Sequence, residues 1–308
     1  MSDTTSLAPG FRRSGLTSYL TLLKPRVMSL VIFTATVGVF AAPSAVDPFL
    51  AALALVVIAI GSGASGALNM WWDADIDRQM RRTRNRPIPN GEVSPRAALT
   101  LGLALSVLSV GALWTVSNTL AAGLLAFTIF FYAVIYTMWL KRRTPQNIVI
   151  GGAAGAFPPM IGWAVATGAI GAESLLLFGL IFFWTPPHFW ALALYMNDDY
   201  TRAGVPMLTV THGQAAARRQ ILVYSAILAA LSIAMAFSQL GGPVFLAAAI
   251  PLNVVLLRRA AAIAKRNEAA ARSDRYETER RFFRLTLYYL FILFAAVWLE
   301  TALGTGQL

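Results

Sequence analysis

The sequence lacks cysteine entirely and carries little charge for its length. Its 308 residues include no Cys and only two His, His188 and His212. Thiol nucleophiles, disulfides, iron–sulfur clusters and a three-histidine metal centre are therefore excluded. Charged residues make up 13% of the chain, whereas a soluble protein carries about twice that share. This composition argues against an ordinary soluble enzyme.

Hydrophobic residues fill 57% of the chain and fall into long runs. A helix needs about 20 apolar residues to cross a hydrocarbon core of roughly 30 Å. The sequence therefore predicts an all-α, polytopic membrane protein. Its nine transmembrane helices are expected at 27–46, 48–69, 97–115, 119–140, 148–168, 174–195, 219–238, 241–257 and 283–303.

These helices are expected to form one membrane domain over residues 27–303. A cytoplasmic segment at 1–26 precedes it, and a short external tail at 304–308 follows. Two cytoplasmic loops, at 70–96 and 196–218, carry the polar residues discussed below and are expected to cap the active site.

The basic residues predict the orientation of the chain. All 25 Lys and Arg fall on the side of the N-terminus, around 12–26, 78–96, 141–143, 202–219 and 258–284. Such an asymmetry marks the cytoplasmic side, so the N-terminus is predicted inside a bacterial inner membrane and the C-terminus in the periplasm. The net charge of +11 then reflects topology and anions at the cytoplasmic loops, and no nucleic-acid partner is expected.

Acidic residues gather where the second predicted helix ends. Asn69, Asp73 and Asp77 are spaced by four residues, so on a continuing helix they form one stripe, and Asp75 points to the opposite side. Two carboxylates one turn apart repel unless a cation lies between them. Hard oxygen ligands in this arrangement suit Mg²⁺, which accepts one or two carboxylates plus substrate phosphates. A solvated helix end is the simpler alternative.

A second acidic cluster, Asn197-Asp198-Asp199, ends the sixth predicted helix on the same side of the membrane. Both clusters precede similar basic loops, with Arg82 and Arg86 after the first and Arg202 after the second. A guanidinium group can bind two phosphate oxygens at once, through two parallel hydrogen bonds. The pattern resembles a degenerate duplication of a four-helix unit, whose two acidic helix ends would face one metal–diphosphate pocket.

At this point the chain resembles the UbiA superfamily of intramembrane prenyltransferases. The first motif of that superfamily matches Asn69, Asp73, Asp77, Arg82, Thr83, Arg86 and Pro87. Three further segments are similar to the branch that prenylates protohaem, and they lie at 23–26, 184–190 and 198–207. One departure is that Arg202 and Ala203 stand where many relatives carry a further acid. A second metal ion would therefore have fewer carboxylate ligands here.

The resemblance implies an Mg²⁺-dependent enzyme that transfers a farnesyl group from farnesyl diphosphate to a vinyl group of haem b. Water addition would give haem O, and haem A synthase or oxidase assembly factors would be partners beside membrane lipid. The expected metal and catalytic residues are Asn69, Asp73, Asp77, Asp198 and Asp199. The expected diphosphate-binding residues are Lys24, Arg26, Arg82, Arg86 and Arg202, and the expected acceptor residues are His188, Trp184 and Trp190.

Other interpretations remain at this stage. The acceptor could be an aromatic ring such as 4-hydroxybenzoate, or the chain could be an ion-coupled transporter, although a transporter places its site near the membrane midplane. His188 could be satisfied by a neighbouring helix instead of binding a substrate. Lys24 could serve only as a membrane anchor. The Pro186-Pro187 pair is expected to break or kink its helix.

Overall fold

Residues 15–304 are described by a computed structural model, and every regular element within them is a helix. The predicted N-terminal segment therefore lies outside the described residues up to position 14, as does the predicted tail from 305 onward. The helices are α1 Leu16–Leu22, α2 Pro25–Phe40, α3 Pro48–Trp72, α4 Ala74–Gln79, α5 Pro95–Val116, α6 Thr119–Phe130, α7 Asn147–Thr167, α8 Ala172–Tyr195, α9 Asn197–Arg202, α10 Leu208–Thr211, α11 Gln214–Ala236, α12 Pro243–Ala264, α13 Glu268–Ser273 and α14 Glu277–Leu303.

Within residues 15–304, eight helices are long and apolar enough to cross a membrane. A ninth span is obtained when α1 and α2, which meet at an angle of 52°, are taken together. One of the eight continues α6 through a π-helix at Phe131–Trp139 and a 3₁₀ turn at Leu140–Arg142. The prediction of an all-helical polytopic membrane protein is confirmed.

Local sequence sets where several helices begin. Proline occupies the first turn of α2, α3, α5 and α12, where its missing N–H costs no hydrogen bond. The Asp47 carboxylate accepts hydrogen bonds from two free N–H groups of α3, and Ser94 and Asn118 do the same for α5 and α6.

Consecutive spanning helices are neighbours in space, and the bundle closes on itself. Contacts run from α2 through α3, α5, α6, α7, α8, α11 and α12 to α14, which returns to pack against both α8 and α2. Of the spanning helices, α7 and α8 have the largest buried share, at 61% each. These two helices therefore form the centre of the bundle, where the site described below opens.

Two predictions about helix limits are wrong, and a third holds at most in part. The first span was expected to reach residue 46, but α2 ends at Phe40, because Pro43 three residues later disfavours helical backbone before it. The acidic stripe was expected on one continuous helix, but the chain leaves the helix at Asp73 (φ −84°, ψ 5°) before α4 begins. Of the predicted break or kink at Pro186 and Pro187, the break does not occur, because α8 is one helix through both residues.

Candidate active site

The end of α3 places Asn69 and Asp73 against the π-helical segment. The amide of Asn69 donates to Asp73 Oδ2 at 2.7 Å and to Thr137 Oγ1 at 3.1 Å. Its Oδ1 accepts a hydrogen bond from Lys24 Nζ at 2.6 Å, and the same ammonium group donates to Tyr132 at 3.2 Å. Asn69 thus connects the acidic motif to Lys24, which stands at the bend between α1 and α2 with a left-handed backbone.

Asp73 is fully buried and is held by the residues that end the π-helical span. Its Oδ2 accepts a short hydrogen bond from Lys141, and its Oδ1 lies 3.6 Å from Arg142 Nη2. No hydrogen bond reaches Oδ1. Lys141 had no predicted role in the site, because the sequence offers it only as one of many cytoplasmic basic residues.

Asp77 forms the second buried carboxylate, and it pairs with a predicted diphosphate ligand. Arg86 Nη1 donates to Asp77 Oδ2 at 2.7 Å, and the Thr83 hydroxyl donates to the Asp77 carbonyl at 3.1 Å. The loop between α4 and α5 is therefore folded back onto α4, so that the basic and acidic parts of the motif lie together.

Asp75 points away from this group, as its place in the sequence predicts. Its side chain is 59% exposed and accepts two hydrogen bonds from Arg142, at 2.7 and 2.8 Å. These hydrogen bonds lower the pKa of the Asp75 carboxyl. The helix is interrupted at Asp73, yet the exposed Asp75 still lies on a different side from the buried Asp73 and Asp77.

The second acidic cluster is placed differently from the first. Asp199 is buried and accepts from Arg81 Nε at 3.1 Å and from Arg202 Nη1 at 3.3 Å, whereas Asp198 is exposed. Both line a separate cavity, together with Arg81 and Arg82 of the loop after α4. This second cavity is considered below. A shared metal role for the two clusters therefore stays a prediction.

A cavity of about 430 Å³ lies between the central helices and combines charged and apolar walls. Of the predicted site residues, it is lined by Lys24, Arg26, Asn69, Asp77, Arg82, Arg86, Trp184 and His188. The other predicted residues, Asp73, Asp198, Asp199, Arg202 and Trp190, are not among its lining residues. Aromatic and aliphatic side chains that the sequence did not single out complete the wall, including Leu30, Tyr132, Tyr136, Ile181, Phe189, Tyr200, Leu287 and Leu290. Burial raises the pKa of the Tyr200 phenol, which keeps it protonated as a hydrogen-bond donor.

His188 sits in the apolar part of the cavity between two aromatic rings. Trp184 stacks on one side with ring centroids 4.3 Å apart, and Phe283 stacks at 4.2 Å. The His188 Nδ1 lies 2.7 Å from Thr286 Oγ1, whose own hydrogen is donated to the Phe283 carbonyl at 2.8 Å. When the Thr286 hydroxyl donates to the Phe283 carbonyl, it accepts from Nδ1–H, and the neutral His188 ring then has a lone pair on Nε2.

The two predicted tryptophans have different roles. Trp184 lines the cavity and donates its ring N–H to the Thr286 carbonyl at 2.6 Å. Trp190 is 2% exposed and packs edge-on against Tyr224, with ring centroids 5.2 Å apart. Trp190 lies on a side of α8 that packs into the core and does not line the cavity, so its predicted contact with the acceptor is not supported.

The chemistry of the first acidic cluster fits Mg²⁺. Within residues 15–304, no group of three or more His, Cys, Asp or Glu residues could hold a metal ion without help. Mg²⁺, however, takes one or two carboxylates together with water and substrate phosphates. Asp73 Oδ1 is a buried oxygen without a hydrogen bond, and the side chains of Asn69 and Asp77, one turn before and one turn after Asp73 in sequence, carry further hard oxygens. These residues can hold Mg²⁺ once a diphosphate supplies the remaining ligands.

Comparison with protein families and with curated proteins gives consistent matches. The model of the UbiA prenyltransferase family matches residues 30–287. A protoheme IX farnesyltransferase from Cereibacter sphaeroides is 63% identical over 292 residues, which covers 95% of this chain and 94% of that protein. A protein of the same name from Paracoccus denitrificans is 59% identical over 295 residues, covering 96% of this chain and 97% of that one.

Solved structures with the same fold are much more distant in sequence. A structure of digeranylgeranylglyceryl phosphate synthase matches with a TM-score of 0.73 at 16% identity, covering 93% of this chain and 98% of that one. A UbiA homolog from Archaeoglobus fulgidus bound to GPP and Mg²⁺ matches with a TM-score of 0.61 at 17% identity, covering 91% and 99%. At these identities the likeness concerns the fold.

Proposed function

This chain belongs to the UbiA prenyltransferase family, and from that membership we propose that it transfers the farnesyl group of farnesyl diphosphate to a vinyl group of haem b. The products are haem O, which carries a hydroxyethylfarnesyl side chain, and diphosphate. Close relatives over nearly the whole chain bear the name protoheme IX farnesyltransferase, which supports the choice of donor and acceptor.

The observation that carries the proposal is that the 430 Å³ cavity has both charged and apolar lining residues. Lys24, Arg82, Arg86 and Asp77 line one part of it, and aliphatic and aromatic side chains line the rest. A prenyl diphosphate has the same division, with a charged head and a hydrocarbon tail. The cavity therefore offers each half of the donor an environment that matches it.

The basic residues of this cavity act on the diphosphate. Arg82 and Arg86 present guanidinium groups that bind phosphate oxygens in pairs, and Lys24 adds an ammonium group. They stabilise the negative charge that develops on the diphosphate as the allylic carbon–oxygen bond breaks. A magnesium ion held by Asp73, Asp77 and Asn69 would neutralise further charge on the same leaving group.

The apolar wall keeps water away from the allylic carbon while the acceptor attacks. The π electrons of the vinyl group form the new carbon–carbon bond, and a cation remains on the vinyl carbon next to the macrocycle. Water adds there and loses a proton, which gives the hydroxyl group of the product. The free lone pair on His188 Nε2 can accept that proton or ligate the haem iron. In the other tautomer, with Nε2 protonated, His188 can donate to a propionate carboxylate of the haem.

The test is a competition between acceptors. Purified protein is incubated with farnesyl diphosphate and Mg²⁺ together with equal amounts of haem b and 4-hydroxybenzoate, and both acceptors are analysed by mass. We expect farnesylated product from haem b alone. Prenylated 4-hydroxybenzoate without haem O would instead support an aromatic prenyltransferase. Chelation of Mg²⁺ by EDTA should stop the reaction, and added Mg²⁺ should restore it.

A further inference from the structure

A second cavity, of about 780 Å³, opens beside the first, and five of its twelve lining residues are arginines. We call it the arginine basin. Its lining comes from the loop after α4, the end of α8, α9, and the segment from α13 into α14. Arg82 lines both this basin and the first cavity, so the two are adjacent.

The charges of the arginine basin do not balance. Five arginines line it against two aspartates. Asp199 is already paired with Arg81 and with Arg202, and Arg272 is paired with Glu268 at 2.8 Å. Among the described residues, Arg82, Arg275 and Arg280 form no ion pair with any carboxylate. The basin thus presents unneutralised guanidinium groups, which suit a ligand with more than one carboxylate.

The wall of the basin is held in place by buried ion pairs. Arg218 is 2% exposed and lies 3.0 Å from Glu268 and 3.7 Å from Glu279, which is fully buried. Arg266 approaches Glu279 to 3.5 Å. Behind the basin, these contacts fix α13 and the start of α14 to α11. Arg275 adopts a left-handed backbone with φ of 55°, which a non-glycine residue keeps only where its surroundings hold it.

One face of α14 connects the arginine basin to His188. Arg280, Phe283, Leu287 and Leu290 are spaced by three or four residues, so they lie on one side of the helix. Arg280 and Phe283 line the basin, whereas Leu287 and Leu290 line the first cavity. Phe283 also stacks on His188. Polarity therefore falls along this face from guanidinium to aliphatic side chains.

We propose that the arginine basin binds the two propionate carboxylates of the porphyrin acceptor, with Arg275 and Arg280 as their main partners. The inference rests on the proposed function, because only a porphyrin acceptor brings these carboxylates. In protohaem the propionates occupy two adjacent pyrrole rings and the vinyl groups occupy the other two. Holding the propionates in the basin directs the vinyl-bearing rings toward His188 and the apolar cavity.

The experiment varies the protein and the ligand together. Protohaem IX and its dimethyl ester, which lacks the propionate charges, are titrated by Soret absorbance into protein in neutral detergent, with empty micelles as the blank. The test variant is Arg275→Gln/Arg280→Gln. The matched control is Arg281→Gln/Arg284→Gln, which removes two exposed charges from the same helix that pair with Glu277.

We expect the test variant to bind protohaem about tenfold more weakly than the wild type. Its affinity for the dimethyl ester and for farnesyl diphosphate should equal that of the wild type, because no carboxylate contact is lost there. The control variant should bind all three ligands normally. Protohaem binding by the test variant within twofold of the wild type would overturn the inference, as would an equal loss for protohaem and its ester.

The two proposals fail in different ways. A wild type that makes haem O, but whose protohaem binding does not depend on Arg275 and Arg280, leaves the proposed function intact and removes the basin's role. A wild type that binds protohaem through the basin and forms no farnesylated product removes the proposed function alone.

Discussion

Asp73 and Asp77 are buried carboxylates that each contact a basic side chain, one from a distant part of the chain and one from the adjoining loop. Lys141 pairs with Asp73, and Arg86 pairs with Asp77. Removing one partner of a buried pair leaves an uncompensated charge, which costs about 3–5 kcal/mol. The basic residues thus hold the two carboxylates in place before the donor and its metal ion bind.

The aspartates provide a matched set of variants at this scale. We expect Asp73→Asn and Asp77→Asn to lower turnover by about 100-fold or more, because each removes a metal oxygen and a charge that opposes the basic groups. Asp75→Asn should retain most activity, since its exposed pair with Arg142 is worth about 1 kcal/mol or less. Turnover of haem b and thermal unfolding are measured on all three. An equal loss of turnover in three folded variants would contradict the geometry.

Variants of His188 and Asp73 distinguish binding of the acceptor from binding of the donor. We expect His188→Ala to bind farnesyl diphosphate with Mg²⁺ normally and to lose haem binding or product formation, because its ring lies in the apolar part of the cavity. Asp73→Ala should show the reverse pattern. Calorimetry measures donor affinity, and Soret titration measures haem affinity. Normal haem binding and turnover in His188→Ala would make this residue structural.

The sequence predicts the acidic residues of the site and the basic partner Arg86, but it does not predict Lys141. The spacing of Asn69, Asp73 and Asp77 is visible in the chain because all three lie on one stretch. Lys141 lies 68 residues from Asp73, and nothing local distinguishes it from other cytoplasmic basic residues. The same holds for Arg275 and Arg280, which the fold brings into one cavity lining with α9.

At the scale of elements, α2 and α7 pack closely enough to exclude side chains. A Cβ on Gly38 would lie 2.0 Å from the Pro159 carbonyl oxygen, and a Cβ on Gly162 would lie 2.1 Å from that of Ala35. Both contacts are to backbone, which cannot rotate away. The close approach places α7 in the centre of the bundle, where it forms part of the cavity wall.

This contact predicts a clear difference between glycine variants. Gly38→Ala and Gly162→Ala should each destabilise the protein by about 1–3 kcal/mol, because the helices must separate. Gly123→Ala on α6 is the control, since nothing lies within 4 Å of a Cβ there. Thermal unfolding in detergent should show lower midpoints for the first two variants only. An unchanged midpoint for both would mean that the two helices pack less closely.

The sequence predicts which segments form membrane helices, but it does not predict where those helices are irregular. Apolar runs of spanning length identify the membrane helices, since the bilayer core requires that length. The π-helix at Phe131–Trp139 and the interruption at Asp73 lie where α3 contacts the π-helical continuation of α6. Such deviations follow from tertiary packing, and they occur here where the charged side chains of the site are brought together.

At the scale of the molecule, the charged residues of the site share one end of the helical bundle. The basic residues predict that this end faces the cytoplasm. Reporter fusions after residue 145 and after residue 308 should therefore lie on opposite sides of the inner membrane, inside and in the periplasm respectively. Both reporters on the cytoplasmic side would show that a span has been miscounted.

The whole account leads to one reaction, in which the bundle brings a prenyl diphosphate, a porphyrin vinyl group and water together. The most direct measurement is the mass of the porphyrin after reaction in water enriched in ¹⁸O, with haem b, farnesyl diphosphate and Mg²⁺. The account predicts that haem b gains one farnesyl group and one hydroxyl group whose oxygen is ¹⁸O. Unchanged haem b together with ¹⁸O-labelled farnesol would contradict it, because the enzyme would then only hydrolyse the donor.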